Sequence, residues 1–182
     1  VLEVHFYDEQ GRPTFYASDY AEARYVYDLA GRQTEVSYYD VEGKPMAVRR
    51  GYARMTTEYN TLGLKTEECY YDVDGNLVDT QMGYAKEVST YDDLGNRLTV
   101  RYLNTSQLQV VPEGSAYAYY LMAYDDAGRV LSEEYYDEMD KPALCRDGYA
   151  AHYAEYTETG RLKEETYFDA ENKPVAYNGY NS

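Results

Sequence analysis

Chemistry in this chain would have to come from two histidines, two cysteines, three adjacent glutamate pairs and 26 tyrosines. His5 and His152 stand far apart, with no Cys, His or Asp at metal-ligand spacing, and read as strand-surface residues. Asp72-Val73-Asp74-Gly75-Asn76 begins like a calcium loop, which needs a glycine at its sixth position and a bidentate glutamate at its twelfth. Leu77 and Gly83 stand there instead, so the string reads as a turn. The pairs Glu67-Glu68, Glu133-Glu134 and Glu164-Glu165 could divide acid and base work only if their environments pushed the two pKa values apart. They recur at like positions and so have like surroundings. No nucleophile elbow, phosphate-cradling glycine loop or dinucleotide fingerprint occurs. The expectation is a non-enzyme with no cofactor and no metal, and the chemistry that remains is aromatic surface.

A repeat must position that surface. Tyr-Asp, or a near copy of it, falls at Tyr7, Tyr27, Tyr39, Tyr59, Tyr71, Tyr91, Tyr124, Tyr136, Tyr156 and Phe168, at spacings that mostly alternate between 20 and 12 residues. The unit is therefore 32 residues long. Self-similarity at such a period marks an array in which each copy buries its apolar face on its neighbours. The copies span about 7–38, 39–70, 71–102, 103–135 and 136–167, with a partial one at 168–182, and no linker interrupts the single array they form.

Within a copy, 54–59 and 64–71 are rich in Thr, Tyr, Met and Glu and are broken only at Asn60-Thr61-Leu62-Gly63, which predicts two strands and a short hairpin turn. The leading Asp or Asn can accept backbone amides two residues on, and the glycine gives the positive φ that closes a type I turn with a bulge. The other half, as in Gly43-Lys44-Pro45 through Gly51-Tyr52-Ala53, is looser. Its prolines (Pro13, Pro45, Pro142, Pro174) suit an edge segment or turn. The fold expected is all-β: an elongated antiparallel β-hairpin repeat array, either a single sheet or a β-solenoid, with about ten strands of about eight residues. One copy departs from the pattern: Leu103-Asn104 replaces Tyr-Asp, Gln107 replaces the glycine, and 110–120 carries one extra residue. A changed turn type is expected there, from drift or from a specialised loop at 106–115.

Thirty-three acidic against 17 basic residues give a net charge of −16. That disfavours nucleic acid and anionic membrane surfaces, which need Lys and Arg to displace counterions. No apolar run is long enough for a membrane-spanning helix, so membrane insertion is not expected. Glu35, Glu67, Glu68, Glu133, Glu134, Glu164 and Glu165 fall in adjacent columns and are expected to form a solvated, charged stripe that discourages edge aggregation. Cys69 and Cys145 occupy different columns and read as separate, partly buried thiols. Val1 to Asp8 matches the last strand of a unit, and the chain stops within a unit at Gly179-Tyr180. Both ends are expected to be cuts in a longer protein.

Tyr91-Asp92-Asp93-Leu94-Gly95 and Tyr124-Asp125-Asp126-Ala127-Gly128 resemble the YD repeats of bacterial Rhs-type proteins and teneurins. Tyr38-Tyr39-Asp40 with Gly43-Lys44-Pro45 and Gly51-Tyr52-Ala53 is similar to tandem tyrosine-rich repeats of large bacterial surface or secreted proteins. A looser similarity runs to aromatic cell-wall-binding repeats. The first resemblance implies a sheet that serves as shell or spacer at the cell surface or outside the cell; the last implies glycan or choline sites. The chain has no tryptophan, which weakens the choline reading. Tyrosine serves equally well as core, as cross-strand ladder and as binding anchor. Two functions follow as expectations: a scaffold or protein-interaction module, or a glycan-binding module with shallow sites at Tyr52, Tyr84, Tyr117 and Tyr149. Recognition would be encoded in the connections that vary among copies, 46–50, 77–82, 109–113 and 143–147.

Overall fold

The computed structural model describes residues 1–17 and 19–176; the Gly179-Tyr180 end lies outside them. Among the described residues there are twelve strands and no helix: β1 (Leu2–His5), β2 (Glu22–Tyr27), β3 (Gln33–Tyr39), β4 (Arg54–Tyr59), β5 (Lys65–Tyr71), β6 (Lys86–Tyr91), β7 (Arg97–Leu103), β8 (Tyr119–Tyr124), β9 (Val130–Tyr136), β10 (Ala151–Tyr156), β11 (Leu162–Phe168) and β12 (Pro174–Val175). They run antiparallel, and sheet order is chain order. Two compact units are distinguished, Val1–Val88 with Leu103–Gln107, and Ser89–Tyr102 with the residues from Leu108 on.

The tight turns form as their residues dictate. The Asp28 amide donates to the Arg32 carbonyl (2.9 Å) and the Gly31 amide to the Asp28 carbonyl (3.1 Å). One carboxylate oxygen, Asp28 Oδ1, accepts the amides of Ala30 and Arg32, each at 2.9 Å. Gly31 takes φ +79°, a conformation an L side chain resists. The register then shifts between Val26 and Tyr27, the expected bulge, and shifts at the same step between Glu58 and Tyr59, Ala123 and Tyr124, and Glu155 and Tyr156.

The looser half holds a second turn of the same design. The Asp40 amide bonds the Lys44 carbonyl (2.9 Å), and the chain returns through single bridges at Tyr39–Pro45 and Tyr136–Pro142, where a proline at the edge loses nothing by lacking its N–H. The change of turn type expected at Asn104 does not occur. Gln107 takes φ 62° in the glycine position, its amide still reaches the Asn104 carbonyl (2.9 Å), and Asn104 Oδ1 still accepts the Ser106 amide (2.9 Å). Asp140 (φ 60°) and Asn172 (φ 59°) do the same in the later copies. The side-chain bond and the closed backbone pair hold a residue there despite a left-handed cost of about 1–2 kcal/mol.

Each unit packs one face with a row of tyrosine rings. In the first unit, centroids of Tyr20 and Tyr38 lie 4.8 Å apart, Tyr38 and Tyr52 6.0 Å, Tyr52 and Tyr70 4.9 Å, and Tyr70 and Tyr84 5.8 Å. In the second, Tyr117, Tyr135, Tyr149 and Tyr167 follow at 4.6, 6.1 and 5.0 Å. Most of these rings meet edge-on or tilted, each contact worth about 0.5–1.5 kcal/mol beyond area burial, so the row holds the face and no single ring does. Alanine follows the tyrosine because the space beneath is closed: Ala85 and Ala118 are 0% exposed. Its backbone joins both neighbours, the Ala118 amide donating to the Tyr136 carbonyl (2.8 Å) and the Ala118 carbonyl accepting from the Tyr102 amide (3.3 Å).

Candidate functional site

Side chains two apart on a strand share a face, and this places a glutamate beside the hydroxyls of Tyr70, Tyr135 and Tyr167. Tyr70 donates to Glu68 and Tyr135 to Glu133, both in short contacts. Tyr149 also donates to Glu133 (3.0 Å), and Tyr167 donates to Glu165 (3.1 Å). Burial first, then the bond to the glutamate, holds the Tyr70 and Tyr135 hydroxyls far above ordinary phenol. Burial and the charge of Glu133 do the same to Tyr149. Of the glutamates expected as a solvated stripe, Glu68, Glu133 and Glu165 are therefore acceptors in the ladder, while Glu164 is exposed as expected. Adjacent columns point to opposite faces, so Glu67 turns away from Glu68 and accepts the Cys69 thiol at 3.1 Å. The signal was present in the sequence as Glu-x-Tyr, a same-face pair once the segment is known to be a strand.

The four anchor tyrosines all lie in these rows. Tyr52 and Tyr149 are buried, at 5% and 8% exposure, while Tyr84 and Tyr117 are half-buried. Tyr52 and Tyr84 flank Tyr70 and line a shallow cavity of about 310 Å³ together with Arg50, Thr80, Gln81 and Met82. Tyr117 and Tyr149 flank Tyr135 in the same way. Two of the varied connections close over the first cavity: the Gln81 amide donates to the Arg50 carbonyl (3.0 Å), and Thr80 Oγ1 bonds the Tyr84 carbonyl (3.0 Å).

The other candidate residues resolve individually. Asp72 Oδ1 accepts the amides of Asp74 and Asn76, each at 2.9 Å, so its string is a turn whose lead carboxylate is already engaged. His5 meets Glu3 (3.6 Å) and Glu22 (3.5 Å), and this trio could in principle ligate a metal. The Arg24 guanidinium, however, already lies 2.5 Å from Glu22 and 3.8 Å from Glu3, which places a positive charge where an ion would sit. His152 is not the surface residue expected: its side chain is 14% exposed, its ring stacks on Tyr167 (4.5 Å, 18°), and Nε2 is buried without a hydrogen-bond partner. Facing inward on β10, it takes a place in the aromatic row. Cys69 and Cys145 are both free and both buried. Burial, then the bond to Glu67, pushes the Cys69 thiol up to about 11, so it is no nucleophile at neutral pH.

The opposite face is organised by cations. Arg24 lies over the Tyr39 ring and Arg54 over the Tyr71 ring, each 4.0 Å from the centroid, and Arg101 over the Tyr119 ring at 4.1 Å. Arg54 also pairs with Glu35 (3.0 Å), and Lys86 pairs with Glu67 (3.1 Å). Guanidinium on an aromatic face with a carboxylate beside it is a recurring element of this surface.

The geometry defines a tyrosine-rich β-hairpin repeat, antiparallel throughout, with one ladder face and one charged face. No protein-family model matches the chain, and no curated protein matches it. Among solved structures it is similar to TcdB2-TccC3 without its hypervariable C-terminal region, at 14% identity over 84% of this chain and 9% of that one, with a TM-score of 0.39. It is similar to TcdB2-TccC3-Cdc42 at 14% identity over the same shares, with a TM-score of 0.40. TcdB2-TccC3-TEV matches at 13% identity over 88% of this chain and 12% of that one, with a TM-score of 0.24. The chain thus spans roughly a tenth of the length of those chains, and likenesses of this size carry no argument about what it does.

Proposed function

We propose that this chain is a non-catalytic repeat scaffold and protein-interaction module belonging to a larger bacterial surface or secreted protein. The observation that supports it is the Tyr–Glu ladder: Tyr52, Tyr84, Tyr117 and Tyr149, which could serve as anchors, pack against Tyr70 and Tyr135, and the hydroxyls of Tyr70, Tyr135, Tyr149 and Tyr167 bind Glu68, Glu133 and Glu165. Side chains used in this way build a stiff surface, and the columns that vary are left to make contacts. The likeness of Tyr91-Asp92-Asp93-Leu94-Gly95 to YD repeats agrees with a shell or spacer role outside the cell. Deleting 39–70, one whole repeat, tests the reading. The shortened chain should keep its β circular dichroism and melt at a lower temperature, because each copy stabilises its neighbours, and its affinity for a protein partner should fall with no turnover at any length. A fully unfolded deletion variant, or a substrate turned over, would contradict it.

The cavity over Tyr52 and Tyr84 supports a second reading, a shallow glycan site with Arg50 at its rim. A blank glycan array, or Tyr84→Ala binding sugars as well as the parent, removes it.

A further inference from the structure

On the charged face, the residue two places after the ladder tyrosine is Arg54 in one repeat, Lys86 in the next and Tyr119 in the one after. In the following repeat it is Ala151. Arg54 faces Ser37 and Tyr71 across the sheet, and Ala151 in the same way faces Glu134 and Phe168. Removing the long side chain leaves a cavity of about 270 Å³, lined by Glu134, Tyr136, Pro142, Ala151, Tyr153 and Asp169. Its floor holds a carboxylate between two phenols: Tyr136 donates to Glu134 at 2.5 Å and Tyr153 donates to it at 2.9 Å. Phe168 meets Tyr153 edge-on at 5.7 Å. Among the described residues, no lysine, arginine or histidine pairs with Glu134, whereas Glu35 and Glu67 on the same face have Arg54 and Lys86.

The geometry points to this cavity as a receptor for an arginine side chain of a partner protein, which enters where Arg54 lies in its own repeat and lays its guanidinium between the Tyr136 and Tyr153 rings and the Glu134 carboxylate. Three things argue for arginine. The chain itself lays arginine over rings of this face at Tyr39, Tyr71 and Tyr119, and Tyr39 and Tyr71 stand at the step of the repeat that Tyr136 holds. A planar guanidinium can stack on a ring and fork a carboxylate at once, which an ammonium cannot. A net charge of −16 draws cationic surfaces toward the molecule. The inference rests on the interaction-module reading and names the kind of surface that module would take.

The test titrates the whole chain with a blocked Gly-Arg-Gly peptide and with its citrulline counterpart, which keeps the shape and loses the charge. Binding is followed by calorimetry and by the ring resonances of Tyr136 and Tyr153. The arginine peptide should move those resonances, and the citrulline peptide should bind about tenfold more weakly or worse, as loss of a charge-assisted bond implies. Ala151→Arg, which fills the cavity from within, should abolish binding, and Glu134→Gln should weaken it by a similar factor. Equal binding of the two peptides, no response to either, or unchanged binding by Ala151→Arg overturns the proposal. If Ala151→Arg fails to fold, the two peptides on the parent chain and on Glu134→Gln still decide. The outcome is separable from the scaffold reading, since the deletion of 39–70 leaves this cavity intact.

Discussion

Arg54 and Ala151 stand at the same step of the repeat, each two residues after a ladder tyrosine. Around Arg54 the charged face is closed: its guanidinium lies on Tyr71 and pairs with Glu35. Around Ala151 the strand pairing is the same, but the face is open over Glu134. The other face does not share this freedom. Tyr52 and Tyr149 sit in matching rows, each buried and each held by its neighbours. The contrast teaches that one face of the repeat is committed to folding and the other is free to vary, so specificity is to be sought in the columns that differ among copies.

The comparison breaks most visibly at the ladder. Tyr135→Ala removes a ring that touches Tyr117 and Tyr149, and should cost about 3–5 kcal/mol. Tyr153→Ala, on the charged face and 43% exposed, should cost less than about 1 kcal/mol. Equal losses in chemical denaturation would erase the distinction between the faces. The two alanine environments give the next largest effect. Ala118, 0% exposed, has no room, so Ala118→Leu should cost about 1–3 kcal/mol, while Ala151→Leu extends into the cavity and should melt close to the parent.

A smaller effect separates the two roles of the turn aspartates. Asp28→Asn should keep the turn, because Asn60 already holds one with the same pair of amide bonds (3.0 and 2.9 Å), whereas Asp28→Ala should lower the melting temperature further. The bonds from Arg32 and Ala30, the Arg32 amide first, hold the Asp28 carboxyl below its ordinary value of 3.8 against the opposing cost of desolvation. Its contribution is therefore present above that value and lost as pH falls through the lower, folded one. The gap between parent and Asp28→Asn should accordingly close in acid; a gap that widens there would reverse the sign.

The turns were legible because Asp, Asn and Gly act on their own backbone, so Asp28 and Gly31 announce the hairpin without help from the rest of the chain. The strands were legible from Tyr, Thr and Val between those turns. What stayed hidden depends on which face a residue takes and on what stands across from it. Glu68 and Glu133 read as surface charge until strand alternation sets them beside Tyr70 and Tyr135. His152 read as exposed until its ring is seen against Tyr167. The cavity at Ala151 leaves no mark of its own, since an alanine matters there only by comparison with Arg54 and Lys86. Gln107 differs for another reason: a glycine-like conformation does not require glycine where Asn104 Oδ1 accepts the Ser106 amide and holds the turn closed.

Tyrosine ionisation tests the central claim most directly. Burial and the Glu68 and Glu133 bonds raise the Tyr70 and Tyr135 hydroxyls above the ordinary value of 10.0. A raised folded value means that stability is whole below pH 10 and is lost as pH climbs toward those values. Absorbance at the phenolate band, followed together with circular dichroism, should show one group of tyrosines titrating near pH 10 in the folded chain and a second ionising only as the β signal collapses. Should all 26 tyrosines titrate together near pH 10 while the β signal stays intact, the ladder is not what holds these repeats together.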